Sequence, residues 1–138
     1  MSFNYSDFRK YTDNFKRMSA QFETWLTQYL LNEGMRFIAE VKPRTPVDTG
    51  DLRSHWRLDG ITRAGPVLQV WFVNPMEYAT YVEYGHAKPY KSGIAAYGGP
   101  DWVDGYFMMT ASIAVIERKM PIRFESEFRK FLLSLGVL

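Results

Sequence analysis

Two small groups of side chains in this sequence have the residue types for chemistry. Asp48, Asp51 and His55 fall close together, and Glu83 and His86 are separated by two residues. Imidazole and carboxylate oxygens are ligands for Zn or Mn, so a metal-dependent hydrolase is one reading. The chain holds only two histidines, however, and His86 lies beyond Gly85 rather than on a helix face with Glu83. The plainer reading makes Asp48 a helix cap, Asp51 a first-turn acid, and the two imidazoles surface or interface groups. Ser54 and His55 are adjacent, and adjacent residues on a strand point to opposite faces, so they do not orient a triad. Glu77 and Glu83 are six apart on a short helix and do not share a face closely enough for paired acid–base work. No phosphate-binding loop, dinucleotide fingerprint or nucleophile elbow occurs. The expectation is a chain with no catalytic residue, no metal and no cofactor.

A third group suggests contact rather than catalysis. Residues 86–100 form a long segment punctuated by Gly and Pro, in which Lys88, Tyr90, Lys91 and Tyr97 interleave charge with aromatic rings. Loops of this length are commonly functional. Single-strand nucleic-acid binders use such interleaving; the alternatives are a solvated loop or one ordered by a protein partner. The formal charge of +2 is too small to argue for nucleic acid on its own.

These groups need elements to position them. At 138 residues one domain is expected, with a core large enough to need no staples. The chain has no Cys, which removes disulfides, thiolate metal sites and cysteine nucleophiles. The first residues lack a basic segment followed by an apolar run, so no signal peptide is expected, and no run approaches the ~20 apolar residues that span a bilayer.

Phe8, Tyr11, Phe15 and Met18, continued by Phe22, Trp25, Leu26, Tyr29, Leu30, Phe37 and Val41, recur at steps of three and four. That spacing predicts one bent helix or two consecutive helices over 5–42, ending before Pro43, with 1–17 a helical extension. Asp48 reads as an N-cap accepting the N–H of Asp51, with a helical turn over 49–53 and Gly50 packed closely against another element. Trp56, Leu58 and Ile61 alternate with Arg57 and Asp59 as a half-buried strand. Residues 63–66 form a turn, with Gly65 biased to extended geometry by Pro66, and Val67–Val73 read as a well-buried antiparallel partner strand. Asn74-Pro75-Met76-Glu77 reads as a helix start and Gly85 as the stop. Asp101 reads as a second N-cap, with a helix to about Lys119, a break at Pro121, and a last amphipathic helix through Phe124, Phe128, Phe131, Leu132 and Leu135 closed by Gly136. The predicted class is α+β: a small antiparallel sheet packed against the N-terminal helix or helices and the C-terminal helices.

Two segments carry a resemblance. Thr45-Pro46-Val47-Asp48-Thr49-Gly50, with Leu52-Arg53-Ser54, is followed about thirty residues later by Glu77-Tyr78-Ala79-Thr80-Tyr81-Val82-Glu83-Tyr84-Gly85. This order resembles the tail-completion (neck, or minor tail) proteins of tailed bacteriophages, from about residue 35 onward. Trp102-Val103-Asp104-Gly105-Tyr106-Phe107-Met108-Met109-Thr110 is similar to a stretch in members from contractile-tailed phages, where many other members have a different segment. The resemblance implies a structural virion part, assembled in the host cytoplasm, that completes the tail or joins it to the head. It implies a ring, with a hexamer favoured, stacked between a tail terminator and a head-completion connector, with passive exposure to DNA in the lumen and no membrane. Pro46, Asp48, Thr49, Gly50, Leu52, Tyr78, Ala79, Tyr81, Glu83 and Gly85 would be its structural motif. Tyr78, Tyr81, Val82 and Tyr84 would pack the short helix onto the sheet or onto a neighbour, and Lys88, Tyr90, Lys91 and Tyr97 would reach a partner.

Overall fold

The computed structural model describes residues 5–88 and 99–137, with the side chains of 5–12, 14 and 15 outside the description. One helix, α1 (Tyr5–Arg44), forms the central wall. It runs unbroken, and it passes Pro43 by one residue instead of stopping at 42. A proline this close to a helix end removes only one intrahelical bond. The last carbonyls find other donors: Thr45 Oγ1 donates to Val41 (2.7 Å), Thr45 N–H to Lys42 (3.1 Å) and Arg44 Nη1 to Glu40 (2.8 Å).

Against one side of α1 lies an antiparallel hairpin, β1 (Arg57–Ala64) and β2 (Val67–Val73). Gly34 is the reason the approach is close: a Cβ there would stand 2.7 Å from Leu58 Cδ2. A bulge at Asp59 shifts the register between Leu58 and Gly60, which is why Ile61 falls out of strict alternation. Gly65 adopts φ +60 in the turn, the left-handed region, rather than an extended conformation. β2 is half-buried, not well buried: Leu68, Val70 and Phe72 turn inward, and Val67, Gln69 and Trp71 outward.

Against a neighbouring face of α1 lies α4 (Met108–Ser134), a single helix where two were expected. Pro121 stays inside it, at an intrinsic cost of about 3 kcal/mol. Burial on both flanks offsets that cost: Ile116 and Met120 pack on the main core, while Phe124, Phe128 and Phe131 meet Phe22, Trp25 and Tyr29 of α1 at centroid separations of 5.2–6.3 Å. Gly136, at φ +72, follows the helix end as expected. The main core joins Phe37, Val41, Leu52, Trp56, Met108 and Ile116. Between α1 and the hairpin the chain makes α2 (Asp51–Ser54), and between the hairpin and α4 it makes α3 (Ala79–Tyr84) and a second two-stranded sheet of β3 (Gly85–Ala87) and β4 (Trp102–Asp104). The class is α+β, with two separate hairpins in place of one sheet.

Candidate functional site

The two motif segments converge on one end of the molecule. The first is anchored by Thr45, which is fully buried. Its hydroxyl accepts from Trp56 Nε1 (2.8 Å), and its carbonyl accepts from Arg53 Nε (3.2 Å) and Nη2 (2.8 Å). Asn74 Nδ2 donates to the Leu52 carbonyl (2.7 Å), so α2 is held from both sides. Asp48 does not cap α2. Thr49 Oγ1 accepts the Asp51 N–H (3.3 Å), and Gly50 precedes the helix at φ +89 with open space about its α-carbon. Gly50 therefore serves a left-handed turn rather than a close approach, because a side chain is disfavoured in that conformation. α2 accordingly begins at Asp51, two residues later than expected.

The second segment is built around Glu83. Asn74 does not start α3; its Oδ1 accepts the Met76 N–H (3.2 Å), and the helix begins at Ala79. Glu83 is only 5% exposed, and its carboxylate is fully engaged with the start of α4. Its carboxylate accepts the backbone N–H groups of Met109 (2.8 Å) and Thr110 (2.9 Å) and the Thr110 hydroxyl (2.6 Å). It caps α4 from another element, satisfying orphan donors where the helix dipole favours negative charge. Backbone bonds from Tyr106 N–H to Val82 (2.8 Å) and Phe107 N–H to Glu83 (3.0 Å) fix the same corner.

This corner explains why residues 102–107 are not helical. Gly85 and Gly105 cross so closely that a Cβ on Gly105 would lie 2.3 Å from the Glu83 carbonyl, and one on Gly85 2.4 Å from that of Val103. Trp102-Val103 pairs with His86-Ala87, and Phe107, at φ 47, precedes the helix. Asp101 therefore precedes a strand and not a helix, and residues 85–87, the first two of the expected loop among them, are strand. Sequence reasoning missed Thr45, Gly105 and the cap made by Glu83. A glycine inside a presumed helix was the available signal for the second.

With the polar groups turned inward, the rings turn outward. Tyr81 is 59% exposed and Tyr106 62%; Tyr78, Tyr84, Val47, Val103 and Phe107 are also exposed. Two open depressions flank them. One of about 600 Å³ lies between Tyr81, His86, Val103 and Asp104; the other, of about 650 Å³, lies along Pro46–Leu52. Tyr78, Val82 and Tyr106 line both. Ala79 and Val82 pack on the core, whereas Tyr78, Tyr81 and Tyr84 do not.

The presumed chemical groups separate. His55 Nδ1 lies 2.6 Å from the Asp51 carbonyl, an acceptor, so that nitrogen carries the proton. Ser54 Oγ is 3.3 Å from the same nitrogen, closer than a strand would allow, because Ser54 ends α2; the protonated nitrogen cannot take its proton. Glu77 precedes α3, away from any shared helix face. Among the described residues no cluster of His, Asp and Glu could hold a metal ion. Lys88 is turned back on the fold, its Nζ donating to the Pro100 carbonyl (2.6 Å). Tyr90, Lys91 and Tyr97 lie outside the described residues.

A family model described as "Bacteriophage HK97-gp10, putative tail-component" matches residues 9–85, more than half of the chain. The chain belongs to the HK97-gp10-like family of phage tail components. The family match takes in both motif segments and also most of α1, which the sequence reading had left unassigned before about residue 35. It stops at Gly85, short of the Trp102–Thr110 stretch. Searches of curated proteins and of solved structures return no match. In this HK97-gp10-like chain, therefore, both motif segments meet around an exposed tyrosine surface.

Proposed function

We propose that this protein is a structural part of the virion that completes the phage tail, or joins it to the head, or both, acting as a ring of identical copies. The observation carrying this reading is the convergence of both motif segments on one surface whose rings face outward and whose buried polar side chains, Thr45 and Glu83, are consumed in bracing it. Tyr is favoured at protein interfaces because it buries a large apolar area and keeps a polar tip. A ring needs heterologous contacts, and the tyrosine surface would supply one of the two patches per subunit. The tail terminator and the head-completion connector are the expected neighbours above and below, and the virion is the expected location. No described helix is long and apolar enough to cross a membrane.

The charge around the rings favours protein over DNA as the partner. Asp48, Asp51 and Asp104 line the two depressions and would repel a phosphate backbone. The contact role of Lys88, Tyr90, Lys91 and Tyr97 stays part of this proposal, as the arm of a neighbouring subunit or ring.

The decisive experiment images particles made with Tyr81→Ala/Tyr84→Ala in place of the native chain. Unjoined heads and tails, with the variant still folded and soluble, are expected. Normal particles at normal yield would refute the assignment of this face.

A further inference from the structure

The β1–β2 hairpin has two outer edges, and they are built differently. β1 carries Arg57, Asp59 and Arg63, bends at the Asp59 bulge, and ties Arg63 to Glu23 of α1. Charges and bulges are the devices by which an edge strand is kept from pairing. β2 has none of them. Val67-Leu68-Gln69-Val70-Trp71-Phe72-Val73 holds no charge, no proline and no bulge. Among the described residues its backbone bonds run to β1 alone. Every second residue of an antiparallel edge strand points its N–H and C=O outward, so β2 presents an unguarded row of donors and acceptors. Trp71 leaves that edge uncovered, because its Nε1 donates across to Thr62 Oγ1 on β1 (2.7 Å).

We infer that the β2 edge pairs with β2 of a second copy of this chain, antiparallel about a two-fold axis at Val70. The sequence of the strand is self-complementary in that register. Leu68 falls opposite Phe72, and Val70 opposite itself, on the face that packs on α1. Val67 falls opposite Val73, and Gln69 opposite Trp71, on the outer face. Aromatic and β-branched cross-strand pairs favour a sheet, and no like charges meet anywhere along it. The edge of β1 offers no such match, so the pairing is isologous and stops at two chains, giving one four-stranded sheet. This inference does not depend on the neck reading: a ring closed through the tyrosine surface leaves the β2 edge unused.

The test uses the full chain. Analytical ultracentrifugation at about 0.1 mM should give twice the 16.1 kDa chain mass. Hydrogen–deuterium exchange should show amides of 67–73 gaining protection as concentration rises. Gln69→Lys/Trp71→Lys places four cations at directly opposed outer positions and should weaken the dimer at least tenfold. Ala64→Lys adds a cation on the guarded strand, away from the Trp71–Thr62 bond, and should leave it intact. A monomeric chain at that concentration overturns the inference, as does a dimer that survives Gln69→Lys/Trp71→Lys. A ring-sized species whose β2 amides stay unprotected overturns it too, while supporting the neck reading. If the edge variant fails to fold, concentration-dependent protection in the native chain decides alone.

Discussion

Tyr29 and Tyr81 are the same residue type put to opposite uses. Tyr29 lies between α1 and the second half of α4, 6% exposed, stacked against Trp25 at 5.5 Å and edge-on to Phe124 at 5.4 Å. Its hydroxyl donates to the Met120 carbonyl (3.2 Å). Beside it a half-buried ion pair, Arg123 to Glu33 at 2.7 and 2.5 Å, crosses from α4 to α1 and holds the Arg123 guanidinium above its ordinary value. Tyr81 projects from α3 into solvent, against the edge of His86. In the α1–α4 stem, rings supply the cohesion and a polar pair sets the register. At the motif end a carboxylate and two close glycines supply the cohesion and the rings are left over. An aromatic surplus in a sequence is therefore not one property; where polar groups do the bracing, the rings are free for a partner.

The largest test of that contrast is Phe131→Ala in the stem. Removing a buried phenyl that meets Phe22, Trp25 and Phe128 should cost about 4 kcal/mol in urea unfolding. Glu83→Ala, at the other end, removes no ring yet strands three donors at the α4 N-terminus; about 3 kcal/mol is expected. If Glu83→Ala were neutral, the motif end would be held by apolar packing and the contrast would collapse.

A pH series sharpens the stem side. Burial, with the Glu33 charge second, pushes the Tyr29 phenol up to about 12, above its unfolded value near 10. The folded state then holds a proton that the unfolded chain releases, so this contribution is intact below pH 10 and is lost as pH rises through 12. Unfolding midpoints should fall over that window, and Tyr29→Phe should flatten the fall. The smallest effect on stability belongs to Tyr81→Ala/Tyr84→Ala, within about 0.5 kcal/mol, since exposed rings hold little of the fold. Its consequence should appear in particle joining and not in the unfolding curve.

The long-period features were legible from residue spacing. Phe22, Trp25, Tyr29, Phe37 and Val41 announce α1, and β2 begins and ends where its β-branched run does. What was misread is local and shares one cause. Asp48, Asn74 and Asp101 all have the residue type of a cap, but caps are decided by which acceptor a fold brings near, and here α2 and α3 begin without a side-chain cap while α4 takes the distant Glu83. Pro121 looks like a stop because local propensity ignores the burial of Ile116 before it and Phe124 after it. The convergence of the two motif segments was out of reach for the same reason, since it depends on Gly85 meeting Gly105 across a turn that no periodicity records.

α1 is the wall shared by both regions. Its 40 residues make a rod about 60 Å long, with the hairpin and α4 strapped along its flanks. A load applied at the tyrosine end has no hinge in α1 to absorb it, so it travels down the axis as through a strut. A tug on one end of such a subunit is felt at the other as displacement.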